Sequence, residues 1–131
     1  MVPPPRYVRG DIWIADLSTG AQGREIFKSR PAVIVSSEDI ISQGGAPITV
    51  VPISDADGKL WPNTITLRLP NQHVLIQGDL FSGLDKLSVA MCEQIRALDR
   101  NRFHSRKGQV DSNQLEQIAD AITFALNLYS D

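Results

Sequence analysis

The apolar residues of this chain come in short β-branched runs, and that pattern decides most of what the chain can fold into. The runs are "DIWIADL" (11–17), "PAVIVSS" (31–37), "ITVVPIS" (48–54), "TITLRL" (64–69), "HVLIQ" (73–77) and "LSVAMC" (87–92). Glycine, asparagine and aspartate clusters separate them, which is the signature of strands joined by turns. Such spacing predicts an antiparallel, strongly curved sheet or small barrel rather than alternating strand and helix units. Asp57-Gly58 in "DADGKLWPN" is a hairpin-turn signal. Pro52 interrupts "VVPIS" with a residue that cannot donate to a ladder, so an edge or a bulge is expected there, and a bulge would re-aim Ser54.

The end of the chain changes period. In "DSNQLEQIADAITFALNLYSD", Leu115, Ile118, Ala119, Ile122, Ala125, Leu126 and Tyr129 recur at helical spacing, and Asp111 with Gln114 forms a capping box that starts the helix. A shorter helical segment is expected over "EQIRALDRNRF" (93–103). The fold class is therefore mainly β with helices, and the 131 residues make one domain, with residues 1–8 as a Pro-rich flexible arm. A chain of this size buries roughly two thirds of its unfolded surface and needs no disulfide or metal to fold.

Composition narrows the function. The start has no apolar stretch like a signal peptide and no segment approaches the ~20 apolar residues of a membrane span, so a cytoplasmic protein is expected. Cys92, the single cysteine, reads as a reduced core thiol. A net charge of -2 argues against a generally cationic nucleic-acid binder, yet Arg96, Arg100, Arg102, Arg106 and Lys107 crowd one stretch against Asp99 alone. A second basic group is Arg24, Lys28 and Arg30. His73 and His104 are too few for a transition-metal site without carboxylates, and "DADG" lacks the later glycine and glutamate of a calcium loop. No metal is expected. Gly-rich phosphate loops and nucleophile-elbow serines are absent from the sequence.

Two features do point to a site. "STGAQGREIFKS" separates the first two strands by about twice the usual loop length, the length of a binding loop or lid. At its end stands Arg30-Pro31. Proline drives the preceding residue out of the helical region, so Arg30 is extended and restricted in direction. Its guanidinium is always charged and presents a planar fork suited to phosphate oxygens.

The stretches "RGDIWIADL", "GREIFKSRPAVIVSS", "ITVVPIS" and "SVAMCEQIRALDRNRF" follow one another with a glycine-containing loop after the first. In order and spacing they resemble the signatures of the MazF/PemK family of toxins, from about Arg9 to the C-terminal helix. The resemblance implies a homodimeric SH3-like antiparallel barrel of the CcdB/PemK kind with a C-terminal helix. It also implies a sequence-specific endoribonuclease, an mRNA interferase, that cuts single-stranded RNA without a cofactor and is inhibited by a cognate MazE-like antitoxin. By position Arg30 matches the family's catalytic arginine, and Ser54 matches its catalytic hydroxyl, usually a threonine. Glu25 and Gln94 match positions that line the RNA groove in relatives. Charge adds Arg24 and Lys28 as loop cations near the scissile phosphate.

Phe27, beside Arg30, is the best candidate for stacking on a base, ahead of Trp61 and Phe81, whereas Trp13 is expected in the core. The implied reaction is attack of the ribose 2'-hydroxyl on phosphorus, giving a 2',3'-cyclic phosphate and a free 5'-hydroxyl. Two other readings share the fold: a gyrase poison like CcdB, whose Trp-Gly-Ile terminus differs from "LNLYSD" here, and a binding module with weak or lost catalysis.

Overall fold

The computed structural model describes residues 6–18, 28–55 and 73–128. The described residues form seven strands: β1 (Asp11–Asp16), β2 (Ser29–Ile34), β3 (Ile48–Asp55), β4 (His73–Ile76), β5 (Ser88–Met91), β6 (Arg96–Leu98) and β7 (Phe103–Gln109). A one-turn helix, α1 (Glu38–Ile41), follows β2, and a longer one, α2 (Ser112–Ala125), closes the described chain. The sheet runs β4-β5-β3-β2-β1-β7, with β6 also paired to β3, and every pairing is antiparallel.

The mainly β class with a C-terminal helix holds. Among the described residues, however, the ladders stop short of a closed barrel, because β4 and β7 end the order without pairing. The 77–87 connection fills that gap instead. The Gln109 N–H donates to the Phe81 carbonyl at 3.1 Å. Gly83, at φ +75, approaches so closely that a Cβ would collide with the Lys107 carbonyl.

Strict alternation along the strands builds two cores on one sheet. Ile12, Val33, Val51, Ile53, Val74 and Ile76 face α2 and meet its Ile118 and Ala121. Their neighbours Trp13, Ala15, Ala32, Ile34, Ile48 and Val50 face the other way and pack with Tyr7, Ile41, Leu98 and Phe103. A sheet buried on both faces explains why these strands read as continuous apolar runs rather than as alternating ones. Trp13 is in the core as expected, with the Tyr7 ring 4.9 Å and the Phe103 ring 6.1 Å from its own. Residues 1–5 of the expected arm lie outside the described residues, while Tyr7 is packed.

Asp111 caps α2 with the expected reciprocal pair: the Gln114 N–H donates to its carboxylate at 2.7 Å, and the Asp111 N–H donates to the Gln114 amide oxygen at 3.0 Å. The helix expected over 93–103 does not form. That stretch holds a 3-10 turn (Cys92–Gln94), β6, a second 3-10 turn (Arg100–Arg102) and the start of β7. Pairing with β3 wins over local helical spacing, since Leu98 reaches the second core only from the strand register opposite Ile48. The run "TITLRL" and the turn at Asp57-Gly58 lie outside the described residues.

Pro52 sits in an interior strand rather than at an edge. On one side of β3 the ladder passes from β6, paired to Ile48–Val50, to β5, paired to Ile53–Asp55. Pro52 falls in the gap between the two, where its missing N–H breaks no bond on that side.

Cys92 is fully buried, and desolvation first, then the Glu93 charge, pushes its thiol up to about 12. It should resist iodoacetamide at pH 8 in the folded protein and react at once in denaturant; labelling at the same rate in both states contradicts this burial. Gly83→Ala should cost about 1–3 kcal/mol through the forced clash with β7, visible as a lowered midpoint in urea unfolding.

Candidate active site

Strand β2 starts earlier than its apolar residues require, so that Arg30 and Pro31 lie in the ladder opposite Ala15 and Ile14. The extended backbone expected for a residue before proline is thus fixed by pairing as well as by sterics. On the other side of β2, Ala32 stands opposite Pro52. Antiparallel register places Arg30 and Ser54 two residues beyond that pair on adjoining strands, and the period of two puts them on the face that Ala32 and Pro52 share. The β2–β3 ladder ends there, and β3 continues along β5 with Ser54 opposite Val89.

Where the two strands part, a cavity of about 230 Å³ opens, and both Arg30 and Ser54 line it. Ile14, Pro31, Ile53 and Leu84 supply its apolar surface, and Lys86, Lys107, Asp85 and Ser88 complete its polar lining. Ser54 is 9% exposed and Arg30 is half-buried. A hydroxyl and a guanidinium that share a partly dry cavity can both donate to one anionic group, and partial desolvation strengthens each bond.

The other residues expected at the site are placed less uniformly. Arg24, Glu25 and Phe27 lie outside the described residues, as does Trp61. Lys28 is exposed at φ 72, and its carbonyl accepts the Leu17 N–H at 2.8 Å, which pins the far end of the long loop. Gln94 lies in the 3-10 turn after β5, half-buried, and does not line the cavity. Phe81 is exposed on the 77–87 connection. Neither histidine lines the cavity; His73 Nε2 is 2.7 Å from the Glu93 carboxylate. Among the described residues no group of three or more His, Cys, Asp or Glu could hold a metal ion, and no helix is long and apolar enough to cross a membrane.

Most of the basic run turns out to hold the fold. Arg96 donates to the Leu17 carbonyl at 3.1 Å. Arg100 donates to the carbonyls of Ala46 at 2.8 Å, Ile41 at 2.8 Å and Gln43 at 3.0 Å, tying down the turn after α1. Arg102 pairs with Asp16 at 3.1 Å and Arg106 with Asp11 at 3.2 Å. Within that run only Lys107 reaches the cavity. Lys86, in "SGLDKLS", carries no local signal at all; its place in the cavity depends on the path of the connection.

The near end of the long loop is anchored at Asp16. Its carboxylate accepts the Ser18 hydroxyl at 2.6 Å and the Ser18 N–H at 2.9 Å, with Arg102 beside it. These contacts, the Ser18 hydroxyl foremost, hold the Asp16 carboxyl below its ordinary value.

Comparison with known proteins agrees with this fold. The family model for the PemK-like, MazF-like toxin of type II toxin-antitoxin systems matches residues 8–126, and the chain belongs to that family. Endoribonuclease MazF9 of Mycobacterium tuberculosis is 32% identical over 126 residues, covering 93% of this chain and 98% of its own length. Endoribonuclease MazF of Staphylococcus saprophyticus is 32% identical over 122 residues, covering 93% and 92%. Among solved structures, the Mycobacterium tuberculosis toxin MazF-mt6 superposes with a TM-score of 0.65 at 22% identity, covering 92% of this chain and 99% of that one. A mycobacterial endoribonuclease in complex with its cognate antitoxin gives 0.64 at 18% identity, covering 95% and 99%.

A depressed carboxyl contributes stability above its unfolded value, and that contribution is lost as pH falls through the folded value. The Asp16 side-chain resonance should therefore titrate below the usual aspartate midpoint of about 3.9, and Ser18→Ala should move it upward. An Asp16 midpoint that Ser18→Ala leaves unmoved contradicts the anchoring.

Proposed function

We propose that this chain is the toxin of a type II toxin-antitoxin system, a sequence-specific endoribonuclease that cuts single-stranded mRNA through Arg30 and Ser54. The observation that carries the reading is the shared cavity at the parting of β2 and β3, with Arg30 and Ser54 both in its lining. The names of the two 32% identical relatives, both endoribonucleases, support the reaction class.

In the proposed reaction the ribose 2'-oxygen forms a bond to the adjacent phosphorus as the bond from phosphorus to the 5'-oxygen breaks. The 2'-proton leaves to a base and the 5'-oxygen gains a proton, giving a 2',3'-cyclic phosphate and a 5'-hydroxyl. Negative charge accumulates on the phosphoryl oxygens at the pentavalent stage. Arg30 supplies a fixed positive fork and Ser54 a second donor toward those oxygens. Arginine holds its proton at any working pH, so Arg30 acts as an electrostatic donor and not as the base. Arg24, Glu25, Phe27, Lys28 and Gln94 complete the RNA-binding surface, with Phe27 stacking on a base.

The working form in this reading is a cytoplasmic homodimer, and the inhibiting partner is a MazE-like antitoxin. The complex of a mycobacterial relative with its cognate antitoxin supports that partnership. The whole chain acts as a single MazF/PemK-like domain.

The test is incubation of the pure protein with single-stranded RNA of varied sequence in excess EDTA. Cleavage at a defined motif, with cyclic phosphate at the new 3' ends, is expected. Arg30→Ala should lower the rate by a hundredfold or more, about 3–4 kcal/mol of lost transition-state stabilisation. An intact RNA pool after incubation with the native protein overturns the reading.

A further inference from the structure

Lys86 and Lys107 enter the cavity of Arg30 and Ser54 from two separate parts of the chain, the 77–87 connection and β7. Both residues are exposed, so their ammonium groups can meet a polyanion without first giving up a buried position. Their backbones are held by one device. The 77–84 stretch is tied to itself: the Ser82 hydroxyl donates to the Gln77 carbonyl at 2.7 Å and accepts the Leu84 N–H at 3.2 Å, while the Asp79 carboxylate accepts the Ser82 N–H at 2.9 Å.

Two glycines of this strap then touch the two lysines. A Cβ on Gly78 would collide with the Lys86 backbone, and one on Gly83 with the Lys107 carbonyl. The strap thereby fixes the backbones that carry the two lysines, while their side chains stay exposed.

Charge and size indicate what they grip. Three cations, Arg30, Lys86 and Lys107, face one carboxylate, Asp85, in the lining, although the chain as a whole is acidic at -2. At about 230 Å³ the cavity is below the ~300–1,000 Å³ of common ligand pockets, a size for one unit of sugar and phosphate with the rest of the strand running outside. We propose that Lys86 and Lys107 bind the backbone phosphates flanking the one on which Arg30 and Ser54 act. The proposal rests on the ribonuclease reading for the identity of the polyanion as RNA and for the phosphate that Arg30 and Ser54 engage.

The test measures binding of a labelled single-stranded RNA transcript of mixed sequence to Arg30→Ala, in which cleavage is slowed a hundredfold or more, between 50 and 200 mM salt. Adding Lys86→Gln and Lys107→Gln should weaken binding about tenfold or more at 0.1 M salt and reduce the slope of log K against log[salt] by about 0.7 per lysine. Lys86→Arg with Lys107→Arg should restore both. An unchanged slope and affinity in the folded triple variant overturns the proposal, as does failure of Arg30→Ala to bind RNA. A reduced slope alongside an uncut RNA pool with the native protein keeps the phosphate grip and removes the ribonuclease reading; cleavage with an unchanged slope does the reverse.

Discussion

The register that sets Ala32 of β2 opposite Pro52 of β3 is the contact on which the site depends. A slip by one residue would turn every β3 side chain to the other face, exchanging Val51 and Ile53 in the helix-facing core for Val50 and Pro52. Both cores resist that slip, because neither Ala32 nor Val33 has solvent on its side of the sheet. The same register carries Arg30 and Ser54 to adjoining places just past the end of the ladder. Burial of apolar side chains thus specifies the relative position of two polar ones.

Pro52 adds the second condition. Its missing N–H falls between the β6 and β5 ladders, so β3 can leave one partner and take another without an orphaned donor. The strands β2 and β3 separate there, and the separation is the cavity. Pro52, two residues before Ser54, and Pro31, directly after Arg30, act near matching points of the two strands, one where a ladder ends and one restricting the cation that precedes it.

Much of this was legible in the sequence where the signal is local. Strands β1, β3, β4 and β5 follow their β-branched runs, and the Asp111–Gln114 box marks the start of α2 because capping is decided within four residues. The basic stretch from Arg96 to Lys107 was not legible in the same way. Its β7 half, "FHSRKGQ", has one buried apolar residue, Phe103, and is a strand because the edge of β1 pairs with it and Asp11 holds Arg106. Four arginines there serve backbone carbonyls and carboxylates across the fold, a role set by tertiary contacts that no spacing encodes. Arg30 and Ser54 stood out through their prolines and the family likeness, whereas Lys86 depends on a turn whose path becomes visible only in three dimensions.

A double-mutant cycle on cleavage bears most directly on the claim that Arg30 and Ser54 act on one phosphoryl group. Single-turnover rates on one RNA would be compared for Arg30→Ala, Ser54→Ala and the pair. If both donors serve the same oxygens, the double variant should lose little more than the more damaged single one, since either donor is of little use without the other. Losses that multiply in full, as for two independent sites, would contradict the account.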